Sequence, residues 1–202
     1  MKERSPALVR VCEAAVSHFA VAGYDGASLS EIARMVGIRK ASLYSHFDGK
    51  DELFLQVLKD AIAVESRFAA DILAADVSSR GPGAGYVDAI AERHESSVHL
   101  RYLLRTAYLP PTALKHAIGE GYEQFLTVLR SGFLRQLDTS GLAHMQQTDR
   151  VSYGEAYIGI VESLFVELTY AGREPMQVRR DALWSLLTDS LAMRTAKERH
   201  GR

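Results

Sequence analysis

Apolar residues in this chain recur at the spacing of a helix and nowhere at the spacing of a strand. Positions 53, 54, 57, 58, 61, 62, 68, 69, 72 and 73 are apolar, a 3.6-residue period that predicts one long helix over about 50–75. Leu8, Val11, Cys12, Ala15 and Phe19 mark an earlier amphipathic helix over 7–20, stopped by Gly23-Tyr24-Asp25-Gly26. Similar patterns predict one or two helices over 86–108, ended at Pro110-Pro111, and another over 112–138 with Gly119, Gly121 and Gly132 as weak points. The last two are expected at about 150–171 and 176–196. Loops are expected at Asp76–Gly85, Thr139–Thr148 and Gly172–Pro175. With no hairpin signal such as Asn-Gly and no internal repeat, the fold class is all-α, with about nine helices.

Between the first helix and the long one lies a denser pattern. Ser28-Leu29-Ser30-Glu31 has the form of a capping box, in which Ser28 accepts from the Glu31 amide while Glu31 reaches back. Leu29, Ile32, Ala33 and Val36 then make one apolar stripe, and Gly37 breaks the helix. Ile38, Leu43 and Phe47 form the inner face of a third helix, and Asp48 is placed to cap the long one. Two short helices joined by a glycine turn are the skeleton of a helix-turn-helix. The second helix of such a unit must carry small polar and basic groups outward to enter a DNA groove. Lys40, Ser42, Ser45 and His46 supply donors of modest size, and Ala41 leaves room for close approach.

The charge distribution agrees with that reading without proving it. The net charge is −1, yet residues 1–50 hold seven basic and five acidic side chains, so the remainder is more acidic than the head. The single cysteine, Cys12, excludes an intramolecular disulfide framework and falls on the apolar stripe of the first helix as a small buried hydrophobe. No stretch is apolar enough to span a bilayer, and Met1–Arg10 has charges of both signs and no apolar run, unlike a signal peptide. A cytoplasmic protein with no membrane partner is expected.

Residues 28–53 resemble the signature of the tetracycline-repressor (TetR/AcrR) family. Ile32-Ala33, Gly37-Ile38, Leu43-Tyr44-x-x-Phe47 and Lys50-x-x-Leu53 carry the likeness, which covers about residues 7–55. One departure stands out. Arg39 occupies a position where family members often have a capping Ser or Thr, and a cation suits a helix N-terminus poorly, so Arg39 is expected to point at phosphate. The resemblance implies a DNA-binding domain at 1–50 and a helical ligand-binding and dimerisation domain at 51–202. It implies backbone-phosphate contacts by Tyr44 and Lys50, and places Lys40, Ala41, Ser42, Ser45 and His46 near base edges or adjacent phosphates. Ser28 or Ser30 would anchor the second helix to phosphate. The implied partners are operator DNA, a second copy joined through the last two helices, and an unidentified small-molecule effector. For the effector, the expected site lies among Tyr102, Tyr108, Tyr122, Phe125 and Tyr157, a set equally readable as core.

Other signals carry little. Gly81-x-Gly83-x-Gly85 follows no strand, has the wrong spacing for a dinucleotide loop and is interrupted by proline. His94, Glu95 and His99 lack a further ligand at metal spacing. No catalytic constellation and no cofactor motif is present, so no enzyme activity, metal or cofactor is expected. A ligand-responsive repressor is the leading expectation. A constitutive or activating regulator, and a helical carrier or enzyme that does not bind DNA, stay open as alternatives.

Overall fold

The computed structural model describes residues 4–75, 80–143 and 145–200, with side chains through 195. Nine α-helices form among them, with no strand: α1 (Pro6–Gly26), α2 (Leu29–Val36), α3 (Lys40–Tyr44), α4 (Lys50–Ala74), α5 (Ala84–Ser96), α6 (Val98–Tyr108), α7 (Lys115–Leu137), α8 (Gln147–Tyr170) and α9 (Arg173–His200). The all-α expectation is met. Of the expected loop at 76–85, residues 76–79 lie outside the described residues.

The departures have local causes. Helix α1 runs past the expected stop because a short helical turn resumes after non-helical Gly23. The stretch 86–108, expected as one or two helices, is two: Ser97 leaves helical geometry and its side chain caps α6 by accepting from the Leu100 amide at 3.2 Å. The polar segment after α7 winds into a π-helical turn over Asp138–Leu142, where the Thr139 and Ser140 hydroxyls both donate to the Gln136 carbonyl. The glycines of α7 do not interrupt it.

The chain divides into two compact units, the first running to Glu65 and taking in Ser96–Gln124, the second holding Ser66–Glu95 and everything from Phe125 onward. In the first unit α6 packs against α1, and an aromatic cluster joins three helices. Phe54 of α4 meets Phe19 and Tyr24 of α1 edge-on at 4.9 and 5.2 Å, and Tyr102 of α6 at 5.3 Å. Glu65 is fully buried there and accepts from the Ser97 hydroxyl at 2.6 Å. Arg4 grips Asp60 of α4 through both terminal guanidinium nitrogens, the longer bond 2.8 Å. In the second unit α8 packs against α9. Tyr157 of α8 lies face to face with Phe133 of α7 at 4.5 Å, with Trp184 of α9 edge-on at 6.4 Å.

Candidate nucleic-acid interface

The turn between α2 and α3 is built as the sequence requires. The Ser28 hydroxyl accepts from the Glu31 amide at 3.2 Å and starts α2. The reciprocal half of the capping box is absent: Glu31 binds Arg34 at 2.8 Å, and the Ser28 amide donates to His18 Nε2 at 3.4 Å instead. The Arg34 partner lowers the Glu31 carboxyl below its ordinary pKa. At the other end Gly37 takes φ +72°, and the Ile38 amide reaches back to the Ala33 carbonyl at 3.0 Å. That left-handed closure turns the chain sharply enough to start α3 three residues later, and a side chain at position 37 would strain it.

Helix α3 is short and has one buried residue, Leu43. Phe47 beyond it is also buried, so these two pin the element inward. Ile38, expected on the same inner face, is only half-buried. Arg39 is the N-cap residue and makes no side-chain cap bond.

Of the residues expected to meet DNA, Ser28, Ser30, Arg39, Lys40, Ala41, Ser42, Tyr44, Ser45 and His46 are all exposed. Two are partly committed. The Ser45 hydroxyl donates to the Ser42 carbonyl at 2.8 Å, and the Lys40 ammonium sits 5.9 Å from the centre of the Tyr44 ring, one helical turn on. Lys50 is placed differently. It is half-buried, donates to the Tyr24 carbonyl at 2.7 Å and to the Ala27 carbonyl at 3.2 Å, and lies 4.2 Å from the centre of the Tyr24 ring. The Tyr24 hydroxyl donates to Asp51, which with partial burial pushes the phenol up to about 12. Asp48 caps nothing here by its side chain; its own amide donates to Glu52. His18, Tyr24 and Asp51 thus support the candidate interface from outside it. Nothing in their spacing announces this, because each acts on a residue distant in sequence.

The five aromatic residues expected around an effector divide between the two units. In the first, Tyr102 is buried and its hydroxyl donates to the Phe54 carbonyl at 2.9 Å, while Tyr108 and Tyr122 meet edge-on at 6.3 Å. In the second, Phe125 stacks on Phe165, and the Tyr157 hydroxyl donates to the Gly83 carbonyl at 3.3 Å. Burial raises the phenol pKa of Tyr102 and of Tyr157 far above the ordinary value, so both hydroxyls keep their protons and can donate. The Gly83 amide donates to the Gln136 side chain at 2.8 Å, and Glu95 accepts from Arg173 at 2.9 Å. No cluster of three potential metal ligands occurs among the described residues, and no helix there is long and apolar enough to cross a membrane.

Residues 11–57 match the family model of bacterial regulatory proteins of the tetR family. The negative transcriptional regulator IcaR of the biofilm operon icaADBC, from Staphylococcus aureus strain Newman, is 44% identical over 50 residues, which is 25% of this chain and 27% of the relative. The Staphylococcus epidermidis IcaR is 42% identical over 45 residues, 22% of this chain and 24% of its own. The match therefore spans about a quarter of these relatives' length. Among solved structures, the fatty acid degradation regulator FadR from Bacillus halodurans superposes with a TM-score of 0.71 at 16% identity, over 92% of this chain and 96% of its own. A TetR-family regulator from Mesorhizobium loti gives 0.67 at 19% identity, over 93% and 98%. At such identities the likeness is one of fold. The head, residues 11–57, thus matches the tetR family of bacterial regulatory proteins, and the chain as a whole is similar in fold to solved structures of such regulators.

Proposed function

We propose that this protein is a ligand-responsive transcriptional repressor that binds a pseudo-palindromic operator as a homodimer. The observation that carries the reading is the α2–α3 unit, where Leu43 and Phe47 are buried while Arg39, Lys40, Ala41, Ser42, Tyr44, Ser45 and His46 are exposed. A short helix presenting small polar and basic groups suits a major groove, whose base edges offer acceptors to Lys and Ser. Lys40, Ala41, Ser42, Ser45 and His46 are the groove-facing set; Tyr44, Arg39, Ser28 and Ser30 meet phosphate. Two of the three N–H groups of Lys50 are engaged with backbone carbonyls, and the third is assigned to phosphate.

The second copy is assigned to α8 and α9, where Val166, Val178, Leu186 and Met193 are large apolar residues left exposed. A two-fold dimer sets its recognition helices about 34–36 Å apart, hence the palindrome. Repression accords with the negative regulator IcaR, which matches the head alone. For the effector, a small, partly apolar molecule is proposed; a FadR from Bacillus subtilis with this fold was solved in complex with stearoyl-CoA. Because α4 is one helix from Lys50 to Ala74, a change in its tilt carries α3 with it. Effector acts only through its preference for the non-binding arrangement.

Selection from a randomised duplex library tests the reading. A half-site repeated with two-fold symmetry, bound with a steep salt dependence, is the expected outcome. Recovery of no enriched sequence would favour a helical carrier or enzyme that does not bind DNA.

A further inference from the structure

Between α4 and α7, within the first unit, runs a groove of about 580 Å³. Its floor is Leu58 and Gly121, both buried, flanked by half-buried Leu55 and Ile62. Gly121 makes the groove possible: a Cβ there would stand 2.6 Å from Ile62 Cδ1, so only a glycine lets the two helices meet without displacing that side chain. None of the aromatic residues considered above lines it.

The volume falls within the roughly 300–1,000 Å³ of small-molecule sites, and such sites are apolar with a few polar groups at fixed places. The charged groups here are Lys59 and Glu120, both at the exposed rim. Glu120 already has His116 Nδ1 3.4 Å away, whereas Lys59 makes no ion pair among the described residues. Lys59 is therefore the rim charge without a neighbouring partner among the described residues. A flexible apolar chain covers the floor and removes it from water, and a terminal carboxylate meets the Lys59 ammonium at the rim. We infer that the groove binds an apolar-chain carboxylate, with Lys59 as its anion anchor. The inference rests on the ligand-responsive reading, whose effector it specifies.

Calorimetric titration of the full chain with dodecanoate, dodecanol and dodecyltrimethylammonium, each below its micelle concentration, tests it without involving DNA. Dodecanoate is expected to bind tightest. Lys59→Gln should weaken dodecanoate about tenfold and leave dodecanol unchanged. Ala63→Trp, which fills the groove from an exposed position, should abolish binding of both; Ala117→Trp does the same from the facing helix should the first variant not fold. Absence of dodecanoate binding, equal affinity for the cationic probe, or binding that survives both tryptophans overturns the assignment. Dodecanoate that binds as expected while selected operator DNA is still held sustains the groove and refutes control by that ligand alone.

Discussion

The Lys50 ammonium, 2.7 Å from the Tyr24 carbonyl and 4.2 Å from the centre of the Tyr24 ring, ties the start of α4 to the end of α1. The carbonyls it meets, those of Tyr24 and Ala27, lie where α1 ends and carry its negative dipole. Lys50→Ala should therefore cost folding stability as well as DNA affinity, on the order of 1–3 kcal/mol for lost charge-assisted bonds. Thermal unfolding followed by circular dichroism checks it. A variant with wild-type midpoint and weakened DNA binding would make Lys50 a phosphate contact only.

Tyr24 gives the same junction an alkaline limit. Its hydroxyl donates to Asp51, and the folded phenol loses its proton at about 12 against an ordinary 10.0. A pKa raised on folding stabilises the protein fully below the unfolded value and ceases to do so as pH rises through the folded one. Stability should thus fall between about pH 10 and 12 in the wild type, and that part of the decline should vanish in Tyr24→Phe. Denaturant midpoints measured across that range separate the two; identical profiles would remove the Tyr24–Asp51 bond from the account.

Neighbouring positions in α3 should fail in opposite ways. Leu43 is 1% exposed and Tyr44 is 51% exposed. Leu43→Ala opens a cavity and should cost about 2–5 kcal/mol. Tyr44→Ala should change stability by no more than about 0.5 kcal/mol while abolishing binding to the selected operator. Lys40→Ala should cost about 1–3 kcal/mol of binding per half-site. Circular dichroism and gel-shift titration read the two effects separately, and wild-type affinity in Tyr44→Ala would overturn the placement of the recognition helix.

What the sequence made legible here was local. The apolar period gave Leu43 and Phe47 their inward face, and Gly37 its turn, because each depends on residues within a helical turn or two. Nothing local gives Lys50 away as a partner of α1, since Tyr24 and Ala27 meet it only once α1 is folded beside it. Glu31 has the spacing of a capping box, but Arg34, one turn on, offers it full opposite charge. Glu65 falls between apolar positions 62 and 68, and only the break between α5 and α6 brings Ser97 to it. The groove beside Gly121 was equally hidden: in one dimension that glycine is merely a weak point in a helix.

The assembly prediction turns on Leu186. It is 68% exposed and borders a cavity of about 540 Å³ between α8 and α9, beside Gly159, Ile160 and Leu183. Position 159 has no neighbouring atom within 4 Å of where a Cβ would stand, so this stretch of α8 has open space above it. Leu186, Val178 and Met193 expose apolar area that the proposed second copy would cover. Leu186→Glu puts a charge on the proposed interface between two copies but disturbs no buried contact of its own chain, since the side chain already faces solvent. The variant should therefore keep its helical signal and run as a monomer by light scattering at micromolar concentration. It should also lose affinity for a two-half-site operator far more than for a single half-site, because one copy holds one recognition helix. A wild-type chain that is monomeric at that concentration yet binds the full operator with undiminished affinity would end the dimer proposal.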